Sequence, residues 1–66
     1  MFIELHTKNH RNEVIPILFV LDRLKIQPDP NDQDKCLVFD GLNAVTVVEE
    51  SYADIRDKIL RNYSII

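Results

Sequence analysis

Apolar positions along the chain fall into two periodicities, and these set the expected elements. "FIELHT" alternates, with Ile3 and Leu5 on one face and Glu4 and His6 on the other, where Phe2 joins them. A period of two predicts a strand. "KNHRN" is polar and turn-prone and reads as a loop or hairpin connection. The next segment, "EVIPILFVLDRLKI", is apolar almost throughout. Pro16 argues there against a central strand and against a helix interior, because it has no amide donor and its ring crowds the preceding turn. The abundance of Ile, Phe and Val favours a strand around Glu13 to Ile17, with Pro16 at an edge or bulge. A short helical turn containing Val20, Leu21 and Leu24 then leads into a second strand, Leu24 to Gln27. A single helix from Pro16 to Lys25, with proline in its first turn, is the alternative. Strand and helix therefore both stand for Ile15 to Leu24.

"QPDPNDQDK", with two prolines and three aspartates, reads as a loop. "CLVFD" reads as a strand with Cys36 and Val38 on one face and Leu37 and Phe39 on the other. Gly41, the only glycine of the chain, suits a tight turn that needs positive φ. "AVTVV" returns as a strand with Val45 and Val47 opposed to Ala44 and Val48, so Cys36 to Asp40 and Ala44 to Val48 form the expected hairpin. In "TVVEESYADI" the pattern changes period. Ser51 has the chemistry of an N-cap, and Asp54 three residues on gives a weaker form of the capping box. Tyr52, Ile55, Ile59, Leu60 and Tyr63 then recur at helical spacing, with Arg56, Asp57 and Arg61 on the other face. This predicts an amphipathic helix of about three turns. Arg61 complements the dipole at its end, and "SII" follows as an apolar tail.

The expected fold is α+β: a small curled antiparallel β-sheet of about 4–5 short strands, with one C-terminal amphipathic helix packed on one face. The chain has 66 residues and reads as a single domain, 1–66. The hairpin strands are apolar on both faces, and one helix covers only one of them. The other face is expected to be buried by a further subunit, which makes the protein a homo-oligomer. A chain this short buries only about 60% of its unfolded surface, which sharpens that expectation.

Composition narrows the function classes. Apolar residues make up 45% and charged residues 29%, a globular balance. One cysteine excludes an internal disulfide and fits a reducing, cytoplasmic setting. The longest apolar run, Ile15 to Leu21, is interrupted by Pro16 and is too short to span a bilayer, so no membrane insertion is expected. "MFIELHT" lacks the basic start and long apolar stretch of a signal peptide. The net charge of −3 disfavours nucleic acid. The alternative function, a small nucleic-acid-binding regulator, would have to use Lys8, His10, Arg11, Arg23 and Lys25, with Glu13 beside the first three.

Candidate chemistry is sparse. His6 and His10 have a four-residue spacing that suits a metal only on a helix, and they fall on a strand end and a loop. Cys36 could complete a His-His-Cys set, without an evident fourth ligand. Asp29, Asn31, Gln33 and Asp40 match oxygen positions of a calcium loop, but Asp34 stands where that loop needs glycine and Pro30 stiffens it. Cys36 as a nucleophile needs a nearby base, and on a strand it is more often a small core residue. Glu49 and Glu50 resemble a carboxylate pair, yet neighbours on a strand face opposite ways, and acids suit a helix amino end. A single glycine excludes a phosphate-cradling loop. No catalytic, cofactor-binding or metal site is expected, no cofactor, and no enzyme activity.

The pieces "MFIEL", "LKIQPD", "CLVFDG" and "VTVVEESYADIRDKI" together resemble the FlbD-like family of small bacterial flagellar and swarming-motility proteins, which includes the SwrD group. That family begins with methionine and an apolar strand, continues through a turn with Pro-Asp and a glycine turn between strands, and ends on a valine-x-Glu-Ser junction and an amphipathic helix. The match covers nearly the whole chain and is closest from Val45 to Ile59. The chain departs from the family at "ILFVLD", where an asparagine is common, and in the longer "QPDPNDQDK" segment. The resemblance implies a non-enzymatic accessory protein and brings no catalytic residues.

Overall fold

The computed structural model describes residues 1–42 and 44–63. Strands β1 (Phe2–Lys8) and β2 (Val14–Val20) form a hairpin. A 3-10 turn (Leu21–Arg23) leads to β3 (Lys25–Asp29), β4 (Asp32–Phe39) and β5 (Val45–Val48), and helix α1 (Tyr52–Tyr63) ends the fold. All strand pairs are antiparallel, in the order β2-β1-β5-β4-β3. The expected α+β class, a five-stranded antiparallel sheet with one C-terminal helix, is what the chain adopts.

Strand order and connection length together require the sheet to curl. β2 and β3 are its two edges, which lie about 19 Å apart across five flat strands at about 4.8 Å each. Residues 21–24 alone join them. Even fully extended, that link reaches only about 17 Å, and its 3-10 turn shortens it further. The edges must therefore approach. The linking 3-10 turn packs on the β4–β5 connection: a Cβ on Gly41 would lie 3.3 Å from the Arg23 Cβ. Gly41 has φ +85, the positive value expected of it.

The segment Ile15 to Leu24 resolves as strand, then turn, so the helix alternative is not adopted. The strand runs three residues further than Ile17. Pro16 is accommodated because β2 is an edge. The backbone N–H of its partner His6 turns away from β2 to Glu50, and the His6 carbonyl accepts from the Glu49 amide. His6 and Pro16 are thus a non-hydrogen-bonded pair, and the donor that proline lacks would have pointed to the free edge.

"QPDPNDQDK" requires a correction. It is not a loop but most of a hairpin, with only Pro30 and Asn31 outside β3 and β4. β3 is the other edge, so Pro28 is tolerated there, and the register shifts between Pro28 and Asp29. The Asp29 carboxylate accepts from the Asn31 amide at 2.8 Å, and the Asp32 carboxylate from the Asp34 amide at 3.0 Å. These aspartates use their loop chemistry to close a tight turn. β4 accordingly starts four residues before Cys36.

One face of the curled sheet forms the core. Ile3 and Leu5 of β1, Phe19 of β2, Cys36 and Val38 of β4, Val48 of β5 and Ile55 of α1 are buried together, with Ile17, Leu21, Leu24, Ile26 and Ile59 packed around them. The assigned faces of β1, β4 and β5 all hold. The helix needs a second correction: Ile55 and Ile59 pack, but Tyr52 and Leu60 are exposed. One i, i+4 pair makes a narrower stripe than the sequence period suggested. Ser51 is the cap expected of it, accepting at Oγ from the Asp54 amide at 3.2 Å, while its carbonyl accepts from Ile55. The readings placed on Asn43, on the Tyr63 side chain and on the tail 64–66 lie outside the described residues. Among the described residues, no helix is long and apolar enough to cross a membrane.

Candidate functional site

A group of polar contacts sits where β1 meets β5. The two strands share a single bridged pair, Thr7 with Val48, whereas β1 and β2 pair along seven residues. The β1–β2 hairpin is therefore joined to the rest of the sheet by a short overlap, and side chains supplement it. Thr7 Oγ1 donates to the Val47 carbonyl at 2.7 Å, and the Glu49 amide donates to the His6 carbonyl at 2.7 Å. Glu50 then reaches back with both oxygens. Its Oε1 accepts from the His6 backbone N–H at 2.9 Å, and its Oε2 lies 2.8 Å from His6 Nδ1. A carboxylate only accepts, so Nδ1 carries the ring proton.

Glu49 turns elsewhere. Its carboxylate is 3.3 Å from Lys35 Nζ and 4.0 Å from Lys8 Nζ. The two acids that resembled a catalytic pair thus serve different partners, as their opposite directions on the chain require. Further along β1, where β5 has diverged, Lys58 Nζ of α1 donates to the Glu4 carbonyl at 2.9 Å. A side chain replaces the missing strand at that point.

Cys36 is fully buried on β4, opposite Val48 in register. Burial raises its pKa above the ordinary 9.0, and the charges of Asp29 and Glu50 raise it further. The thiol is held in its neutral form, the opposite of what an activated nucleophile needs.

The other sequence candidates are dispersed. His10 lies in the β1–β2 turn, outside the contact that holds His6. Asp29 and Asp40 flank opposite ends of β4, about 25 Å apart at roughly 3.4 Å per residue, so the calcium-like set does not converge. Asp40 instead accepts from the Leu42 amide at 2.8 Å within its own turn. Among the described residues, no three His, Cys, Asp or Glu side chains are grouped to hold a metal ion. The cations split as well. His10 and Arg11 lie at the β1–β2 turn, and Arg23 and Lys25 lie past the far end of β2, about 20 Å away. Lys25 sits 5.6 Å from the centroid of the Phe39 ring.

Sequence reasoning missed the Glu50–His6 clip and the Lys58–Glu4 contact. Forty-four and fifty-four residues separate their members, and no local pattern marks either. The chain matches no family model, and no curated protein or solved structure matches it either.

Proposed function

We propose that the protein is a small non-catalytic interaction module that works as a homo-oligomer, in the bacterial cytoplasm and in a motility-related role by its resemblance to the FlbD-like proteins. One observation carries this reading: the outward face of the sheet is studded with large apolar side chains. Phe2 is 63% exposed, Leu18 64% and Val20 51%, and Val14, Val45 and Val47 add to them. Only seven apolar residues are buried among those described. A surface this apolar on so small a protein is the mark of an interface.

The polar contacts support the same reading. Glu50, Glu49 and His6 are engaged in joining strands, and the Cys36 thiol is neutral and enclosed, so each has a structural task. A nucleic-acid role would need the separated cations to act as one surface. Retention on DNA or RNA at low salt is the test of that alternative, and no retention is expected. Light scattering coupled to size exclusion tests the main reading. The mass is expected to exceed one chain at micromolar concentration, and a monomer that stays soluble at hundreds of micromolar overturns it.

A further inference from the structure

We propose that the outward face of the β1–β2 hairpin is a self-complementary surface on which a second copy packs antiparallel, face to face, about a two-fold axis. This rests on the reading of the protein as a homo-oligomer and states where and how the copies meet.

The four outward residues of β2 are Val14, Pro16, Leu18 and Val20, all apolar and all exposed. The outward row of β1 beside them runs Phe2, Glu4, His6, Lys8, with an acid in one half and a base at the other end. β1 and β2 are each seven residues long and centred on the paired residues Leu5 and Ile17. A two-fold axis lying in the interface and crossing the strands at that pair reverses the strand direction and overlays both strands completely. Val20 of one copy then meets Val14 of the other, and Leu18 meets Pro16. Glu4 faces His6 and lies beside Lys8, which in turn covers Phe2. Every charge in the row meets either its opposite or an aromatic ring, and the relation is the same in both directions, as a two-fold interface requires.

The outer face of β4 is less free, since Lys25 lies over the Phe39 ring, and β5 adds only Val45 and Val47. Pro16 also removes a donor from the free edge of β2, which disfavours edge-to-edge pairing and leaves the face. The apolar side chains of the two rows expose roughly 400 Å² per copy, taking about 150–200 Å² for each full side chain. With Glu4, His6 and Lys8 included, two copies bury about 1,200 Å², the lower limit for a specific complex. The dimer is therefore expected to be reversible and micromolar, not permanent.

The experiment is sedimentation equilibrium on the full chain and on Phe2→Lys, Leu18→Glu and Leu42→Glu. Leu42 is 76% exposed but lies outside the row, so its variant is the control. Phe2→Lys, which sets a second cation against Lys8 of the other copy, and Leu18→Glu are each expected to weaken dimerisation at least tenfold with the far-ultraviolet spectrum unchanged, and Leu42→Glu to leave it unaltered. In parallel, a short bismaleimide is expected to join Val14→Cys to Val20→Cys in mixed samples more efficiently than it joins either variant to itself, because the native Cys36 is enclosed. A dimer that survives Phe2→Lys, or that cross-links each variant to itself, overturns this packing while leaving the homo-oligomer reading intact. A monomer throughout overturns both.

Discussion

Replacing Glu50 with alanine is the sharpest test of how the two parts of the sheet are held together. The β1–β5 overlap has one bridged pair, so the Glu50 carboxylate supplies a large share of the junction. It accepts one bond from the His6 backbone and one from its ring, at 2.9 and 2.8 Å, and its side chain is only 15% exposed. A hydrogen bond to a charged group contributes about 1.5–3 kcal/mol. The ring contact is discounted because the His6 side chain is 41% exposed. Glu50→Ala also leaves the His6 amide without its acceptor at a part-buried position. The total is about 2–3 kcal/mol, against a stability of roughly 3–10 kcal/mol for a chain of this size. Glu49→Ala is the matched comparison. It removes partly exposed ion pairs at 3.3 and 4.0 Å, which contribute about 0–1 kcal/mol. Urea unfolding followed by circular dichroism, at one fixed protein concentration because the self-association proposed above would add to stability, is expected to shift by about 2–3 M for Glu50→Ala at a slope near 1 kcal/mol/M. Amide exchange at His6 is expected to accelerate in step. Equal effects of the two substitutions would refute the clip.

Three further outcomes follow from the same geometry. Ser51→Ala removes the oxygen that accepts from the Asp54 amide and should cost about 1 kcal/mol in urea unfolding; lost function at unchanged stability would make this turn a site in its own right. Gly41→Ala places a Cβ 3.3 Å from Arg23 at φ +85 and should cost at least about 1–2 kcal/mol, with the loss read as a lower thermal midpoint. Because the folded Cys36 thiol has its pKa raised above 9.0, first by burial and then by Asp29 and Glu50, the folded state holds its proton where the unfolded state releases it. The contribution is complete below pH 9 and declines as pH rises through the raised value, so stability should fall more steeply above pH 9 than it does in Cys36→Ala.

Local sequence disclosed the elements whose signals are local. The alternation in "FIELHT" set the buried pair Ile3 and Leu5, the β4 and β5 faces came out as assigned, and Ser51 and Gly41 occupy the backbone positions that their chemistry suits. The failures share one cause, which is dependence on strand order. "QPDPNDQDK" reads as loop because proline and aspartate disfavour a central strand. It pairs because β3 turned out to be an edge, and edge status is a property of the assembled sheet. Tyr52 and Leu60 fit the helical period, yet whether a stripe is covered depends on what lies beneath it. The candidate site was the least legible part. Glu50 and His6 looked like members of an acid pair and a histidine pair, and became partners of one another only through the β1–β5 crossing.

The two prolines on edge strands connect this architecture to association. An open sheet offers two rows of unpaired backbone groups, and a chain with few buried side chains would ordinarily continue through them into further strands. At one edge Pro16 faces its missing donor outward, as the direction of the His6 N–H and carbonyl establishes. At the other edge Pro28 stands beside a register shift. The inner edge of β1 left open by β5 is closed by Lys58 on the Glu4 carbonyl. The edges are thus interrupted at these points, while the outward apolar row of Val14, Leu18 and Val20 stays exposed. Edge-templated growth would be open-ended, whereas packing through that face closes after one partner. An arrangement that disfavours the first and leaves the face proposed above for the second would select a finite assembly over a fibril.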